Sequence, residues 1–247
     1  ASVFQQRAAD LRGILNGCDY QDWDPAFDPL LPATYDADNL DGKHTCKRIL
    51  QQETGLPVGN LPIYGMVCRL TEQKGVHLLI PALDKFLQHQ VQVVIVGSGD
   101  PSLAAQLQSI AQQHPDKFAF INAYDDRLAH LVEAGADFFL MPSLFEPCGL
   151  NQMYSLAYGT LPLVRAVGGL KDTVVDWDAD PTHATGFCFN DPTASTLLDA
   201  MRRSLLHYLQ EPARFARVQH HAMNTRFDWA DSVILYEQMY QDALATV

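Results

Sequence analysis

Positive charge is scarce in this sequence: 17 lysines and arginines stand against 29 aspartates and glutamates, a formal net charge of -12. The basic residues are scattered, and the densest pairs, Lys47-Arg48 and Arg202-Arg203, lie in helix-like stretches. Nucleic-acid binding needs a basic stripe, so that class is excluded. A small anionic ligand is not, because one or two aimed cations and backbone amides bind an anion inside a negative protein. Paired cysteines are lacking too. Cys18, Cys46, Cys68, Cys148 and Cys188 are dispersed, odd in number and without a C-x-x-C. That pattern excludes a disulfide framework or zinc site and points to a reducing compartment. No apolar run approaches the roughly 18 residues of a membrane span, and the first twenty residues hold no signal-peptide core. The chain begins at Ala1 rather than methionine, which leads us to expect a fragment or a processed product. Internal repeats and low-complexity segments are absent as well.

What is present is ordinary globular material, 47% apolar and 19% charged over 247 positions, enough for one large or two small cores. Residues 1–60 read as a linker segment. A helix is expected over 4–15, stopped by Asn16-Gly17, then an acidic loop with Pro25, Pro29 and Pro32, then a second helix over 43–53. From Leu61 the pattern alternates. Short apolar strands are predicted over 63–68, 91–96, 118–121, 137–141 and 161–165, with a last one at 186–189. Helical spacing separates them over 76–87, 103–111, 127–133 and 148–158. Three further helices are predicted over 197–209, 213–223 and 232–244. Single helices between short strands imply parallel pairing through right-handed crossovers, hence an α/β fold with a doubly wound parallel sheet and C-terminal helices. The division expected is a linker over 1–60, the sheet domain over 61–225 and a closing helix over 226–247.

In such sheets ligands bind beyond the carboxyl ends of the strands, which directs attention to three loops. The first, Arg69-Leu70-Thr71-Glu72-Gln73-Lys74-Gly75, carries two cations between a strand and a helix. A lysine at a helix start opposes the macrodipole unless an anion is there, and the pair suits a diphosphate. A solvated Arg and Lys in a surface loop is the plainer alternative. The second, Gly97-Ser98-Gly99-Asp100, matches the start of a G-x-G-x-x-G fingerprint, but Ser102 replaces the third glycine. It reads as a tight turn, or as a place where Gly99 lets a base or ribose approach the backbone. The third is Pro142-Ser143-Leu144-Phe145-Glu146-Pro147-Cys148-Gly149-Leu150-Asn151-Gln152. It sets Glu146 beside the amides of Gly149, Leu150 and Asn151 at an expected helix start, an anion site. Glu146 alone also fits a first-turn acid.

Together these stretches resemble the glycogen and starch synthases of the bacterial and plant type. The resemblance rests on Arg69-x-x-x-x-Lys74-Gly75, Glu146-Pro147-Cys148-Gly149-Leu150, Gly159-Thr160-Leu161-Pro162-Leu163-Val164-Arg165 and Gly168-Gly169-Leu170-x-Asp172-Thr173-Val174, in that order. The early Gly13-Ile14-Leu15-Asn16-Gly17 and Trp23-Asp24-Pro25 are similar to that family's interdomain segment, and Phe227-Asp228-Trp229 with the final helix to its return helix. The family has two Rossmann-like domains facing across a cleft, the GT-B architecture. Its N-terminal domain carries a Lys-x-Gly-Gly loop that this sequence lacks, so the resemblance is to the second, donor-binding half plus the linker. It implies that Arg69 and Lys74 hold the donor diphosphate and that Glu146 binds glucose hydroxyls. It implies further that Cys148, Gly149 and Leu150 line the pocket through backbone groups, that Tyr124 stacks on the base, and that Asn16 approaches the sugar. Asn151 stands where the family usually has threonine. Tyr154 stands eight residues after Glu146, where the broader retaining group has a second glutamate, so a two-carboxylate double displacement is not expected. The donor implied is ADP-glucose or UDP-glucose and the acceptor an α-glucan, with the missing N-terminal domain as partner, no metal or cofactor, and a cytoplasmic (in a plant, plastid) location.

Other features carry less. Asp36-Ala37-Asp38 and Asp178-Ala179-Asp180 read as solvated acidic turns, and His220-His221 as helix residues without a matching carboxylate. Cys148 has no paired histidine and reads as lining rather than nucleophile. Met141, Phe138, Phe139 and Phe145 read as core, and Trp177 and Trp229 as packing for the late helices. Three alternatives stay open: a non-catalytic nucleotide-sugar-binding module, an NAD-dependent dehydrogenase, and a phosphorylase-like enzyme. Against the second stand Ser102 and the lack of an acid about twenty residues on; against the third, the lack of any signal for pyridoxal phosphate.

Overall fold

A computed structural model describes residues 2–245. The β-branched and aromatic runs form six strands: β1 (Ile63–Val67), β2 (Gln92–Val96), β3 (Phe118–Ile121), β4 (Phe138–Met141), β5 (Leu161–Arg165) and β6 (Phe187–Phe189). All pair in parallel in the order β3-β2-β1-β4-β5-β6. The chain works outward from β1 to β3, then returns to place β4 on the other side of β1. That reversal is the topological switch point, where adjacent crossovers leave on opposite faces and open a crevice.

Ten α-helices complete the described chain: α1 (Ser2–Gln6), α2 (Asp41–Thr54), α3 (Val76–Phe86), α4 (Pro101–Gln113), α5 (Asp126–Gly135), α6 (Asn151–Ala157), α7 (Gly168–Thr173), α8 (Ala194–Gln210), α9 (Pro212–Met223) and α10 (Trp229–Ala245). Local chemistry starts several of them. Asp100 accepts from the amides of Ser102 and Leu103 ahead of Pro101, Asp125 accepts from Leu128 N, and Thr193 from Thr196 N. Each cap satisfies an amide that has no partner within its helix.

The pleat sorts the apolar residues into two cores. Tyr64, Met66, Val93, Ile95, Phe138, Leu140, Leu161 and Leu163 join α3 and α8 on one face. Ile63, Val94, Val96, Phe139, Met141 and Val164 join α2 and α5 on the other. Successive strand residues point to opposite sides, so a strand covered on both faces is apolar throughout. Although α2 lies within the linker segment by sequence, its Cys46 and Leu50 are fully buried in the second core. On the same face α5 lies so close to β1 that a Cβ on Gly65 would sit 2.6 Å from Val132 Cγ1.

The helix expected over 4–15 is cut to α1 and a 3-10 turn at Ala8–Asp10. Its side chains are exposed, and a short helix without an apolar face to bury is marginal. The helix expected from Cys148 begins only at Asn151, because Gly149 takes φ +74° and turns the chain first. Helix α7 was not foreseen as an element. Phe145, expected in the core, is 57% exposed, and Trp229 is 45% exposed, packed against Gly17 on one side. Along α10 only Ser232 is buried, with Ile234, Tyr240 and Leu244 turned outward. No helix among the described residues is long and apolar enough to cross a membrane.

Candidate active site

The loops leaving β1 to β4 surround a cleft of about 290 Å³ at the switch point. The loop after β1 brings Cys68, Arg69 and Lys74 to it, the loop after β2 Gly97 and Ser98, and the loop after β3 Tyr124 and Asp125. Ser143 and Asn151 come from the loop after β4 and the start of α6. Both cations named from the sequence therefore face one cleft. Arg69 is exposed and makes no side-chain hydrogen bond or ion pair among the described residues.

Lys74 lies in a 3-10 turn, Glu72–Lys74, just before α3. Its ammonium meets the Glu146 carboxylate at 2.5 Å, and Ser143 Oγ donates to the same Oε2 at 3.2 Å. The Lys74 side chain is 21% exposed and that of Glu146 9%. The two loops are joined by their backbones as well: Leu144 N donates to Gln73 O at 2.7 Å, and Gln73 Nε2 to Phe145 O at 3.1 Å. Gly75, at φ +72°, allows the approach, since its Cβ would fall 1.9 Å from Pro142 O. From behind, Arg165 Nε donates to Ser143 O at 2.8 Å and another guanidinium nitrogen to Leu144 O.

The remaining candidates divide. Tyr124 stands at the cleft mouth, 88% exposed, with a ring face available for stacking. Asn151 lines the wall and donates through Nδ2 to Val67 O at 3.3 Å. Cys148, Gly149 and Leu150 form a half-exposed turn beside Glu146, outside the cleft wall and one turn ahead of the helix rather than in it. The amides of Gly149, Leu150 and Asn151 have no acceptor among the described residues. Gly99 packs against Leu70 instead of lining the cleft. Leu70 N donates to Ser98 O and Asp100 N to Leu70 O, both at 2.9 Å, and a Cβ on Gly99 would meet Leu70 O at 2.5 Å. The glycines of that loop serve loop-to-loop packing. Asn16 belongs to a different cavity, formed with Asp172, Phe227 and Asp231, where the linker meets the last helix. There Cys18 N donates to Phe227 O at 2.7 Å and Ser232 Oγ to Leu15 O at 2.7 Å.

Sequence reasoning missed Trp23 as part of the cleft. Its ring stacks on His130 at 3.6 Å and on Tyr154 at 4.2 Å between centroids. Tyr154 is thus an aromatic support for the linker. The tryptophan could be read only as part of a linker motif, because its stacking partners lie on α5 and α6.

Burial pushes the Cys68 thiol up to about 12, against the opposing pull of Lys74 and Arg69, so it stays protonated. Burial likewise pushes the Tyr154 phenol up to about 12. At the opposite edge of the sheet, ahead of β4 and β5, Lys43 donates to Ala134 O, Tyr158 O and Thr160 Oγ1 at 3.0, 2.9 and 2.7 Å. Burial lowers its ammonium to about 8. Glu133, buried in the same region and hydrogen-bonded by Ser155 at 2.6 Å, is raised well above the usual carboxylate range by burial. Asp178 is paired with Arg203, and Asp180 caps Thr182 and His183 in an acidic turn. His220 has a carboxylate after all, Asp38 at 3.4 Å, although both are exposed. Among the described residues no group of three His, Cys, Asp or Glu side chains is placed to hold a metal.

A six-stranded parallel sheet in this order, with two cations lining its switch-point cleft and an acid paired to one of them, matches one half of the GT-B glycosyltransferase architecture. The chain belongs to the family Glycosyl transferases group 1, whose profile matches residues 48–218. Among its relatives is the protein named Glycogen synthase of Aeromonas hydrophila, 86% identical over 245 residues, a match spanning 99% of this chain and 50% of that one. Glycogen synthase of Vibrio parahaemolyticus is 60% identical over 244 residues, spanning 98% and 50%. The solved catalytic domain of Starch Synthase IV from Arabidopsis thaliana, described as bound to ADP and acarbose, superposes with a TM-score of 0.92 at 35% identity, over 99% of this chain and 51% of that one. The chain spans about half the length of these relatives.

Proposed function

We propose that this chain is the donor-binding half of a retaining glucosyltransferase that extends α-1,4-glucan from ADP-glucose, with UDP-glucose as the alternative donor. The observation that carries the reading is the convergence of Arg69 and Lys74 on one cleft with Glu146 paired to Lys74. Two cations lining one cleft suit a diphosphate, and Glu146 beside Lys74 offers a carboxylate to sugar hydroxyls. The named relatives and the ADP-bound plant domain support the same substrate class.

In the proposed reaction the bond from the anomeric carbon to the diphosphate oxygen breaks, and its electron pair leaves with the diphosphate. Arg69 and Lys74 offset the charge that develops there, a preorganised electrostatic contribution. The 4-hydroxyl oxygen of the glucan bonds to the anomeric carbon from the face the diphosphate leaves, and its proton passes to the departing phosphate oxygen. Tyr124 stacks on the base. The acceptor is held by a second domain across the cleft, and the enzyme works in the cytoplasm.

Titration calorimetry on this chain tests the reading. ADP is expected to bind, Arg69→Ala to weaken it by about tenfold or more, and turnover on glycogen to be negligible until an N-terminal half is supplied. Failure of ADP to bind, or robust turnover by this chain alone, would count against it. Binding that never yields turnover with a second half present would instead mark a nucleotide-sugar-binding module.

A further inference from the structure

The turn that carries Glu146 is held from beneath by a side chain with no part in the donor contacts above. Gln152, second residue of α6, is fully buried. Its Nε2 lies 3.1 Å from Cys148 O, 3.2 Å from Gly149 O and 3.2 Å from Thr173 Oγ1, whereas its Oε1 is buried without a partner. The amide can take only this orientation, since the flipped form would press an oxygen against two carbonyls. Thr173 continues the chain by donating to Gly169 O at 2.6 Å, and Gly169 N donates to Glu146 O at 3.0 Å.

The start of α7 is therefore pressed directly against the turn. A Cβ on Gly168 would meet Glu146 O at 2.1 Å, and one on Gly169 would meet Cys148 O at 2.0 Å. Cys148 O and Gly149 O accept no backbone N–H among the described residues, so the Gln152 amide is what ties them down.

We propose that Gln152 and Thr173 are positioning residues for donor binding: from α6 and α7 they lock the turn from Glu146 to Gly149 so that the Glu146 carboxylate faces Lys74 and the sugar. The inference rests on the donor-binding reading given above. The Gly168–Thr173 stretch lines no part of the cleft itself and reaches it only through this turn.

The test compares ADP-glucose affinity of the parent chain with Gln152→Leu, Gln152→Glu, Thr173→Val and Thr173→Ser, each checked for folding by circular dichroism. Loss of the three Nε2 hydrogen bonds in Gln152→Leu, or of the hydroxyl that links Nε2 to Gly169 O in Thr173→Val, is expected to weaken binding about tenfold, with Thr173→Ser within about twofold of the parent. Gln152→Glu cannot donate while ionised, so its affinity relative to the parent is expected to recover as pH falls and the new carboxyl is protonated. Merely structural residues would change stability without that pH-dependent recovery in the folded protein. Parent-like affinity in both Gln152→Leu and Thr173→Val overturns the positioning role while leaving the donor site intact. Should Gln152→Leu fail to fold, equal affinities of Thr173→Val and Thr173→Ser overturn it instead. A parent chain that binds no ADP-glucose would sink the donor-binding reading itself, and the positioning role with it.

Discussion

The Lys74 ammonium and the Glu146 carboxylate lie 2.5 Å apart although 72 residues separate them in the chain. They meet because β1 and β4 are neighbours in the sheet, so the loops leaving their carboxyl ends share one rim. Lys74→Met would strip Glu146 of its counter-charge, leaving only the Ser143 hydroxyl on that carboxylate. The expected result is an ADP affinity lower by about 10–100-fold. In a full-length enzyme the expected loss of glucosyl-transfer rate is roughly 10²–10³. An effect below about threefold in steady-state kinetics would remove Lys74 from its proposed role.

Gly75 keeps those two loops together. Alanine there would have to hold φ near +72° and place its Cβ 1.9 Å from Pro142 O. Positive φ and overpacking against backbone each cost about 1–3 kcal/mol, so Gly75→Ala is expected to lower unfolding free energy by about 2–6 kcal/mol. Urea unfolding measures this directly, and a shift of only a few tenths would show that the loops can separate without strain.

Lys43 supplies a pH dependence. Burial lowers its ammonium from 10.5 to about 8, so the folded state binds this proton more weakly than the unfolded chain does. The charged form therefore destabilises the fold below about 8, and the penalty is relieved as pH rises toward 10.5. Relative to Lys43→Met, the parent is expected to gain about 2 kcal/mol between about pH 7 and 9.5, a range that keeps the buried tyrosines neutral. Unfolding curves of the two proteins that run parallel across this range would contradict the assignment.

Trp23 offers an optical readout of the cleft. Trp177 is fully buried away from it, whereas the Trp23 ring lines it between α5 and α6. ADP is expected to change tryptophan fluorescence in the parent, and Trp23→Phe to remove most of that change while calorimetry still registers binding. A full signal surviving in Trp23→Phe would place the nucleotide elsewhere.

Two side-chain cations aimed at one cleft can offset a diphosphate without a bridging ion. ADP affinity is accordingly expected to be the same with and without a chelator such as EDTA. A drop of more than about twofold on chelation would mean that a metal carries part of the charge that Arg69 and Lys74 are proposed to balance.

Much of this protein could be read from local pattern. The β-branched runs marked the strands, the 3.6-residue spacing marked the helices between them, and their alternation implied a parallel sheet with chemistry at its carboxyl edge. Arg69, Lys74 and Glu146 could be singled out as candidates because each sits in a loop after a strand, while their roles were implied only by the family resemblance. Tertiary structure alone decided which of them touch. Lys74 pairs with Glu146 only because β4 returns beside β1, and Trp23 enters the cleft only because α5 and α6 offer it His130 and Tyr154. Tertiary structure also sets Gly99 against Leu70, places Asn16 in a cavity shared with the last helix, and leaves Phe145, read as core, exposed. Periodicity and turn chemistry act over a few residues and are written in any short window. A contact closed over tens of residues depends on strand order and crossover, which no window of sequence contains.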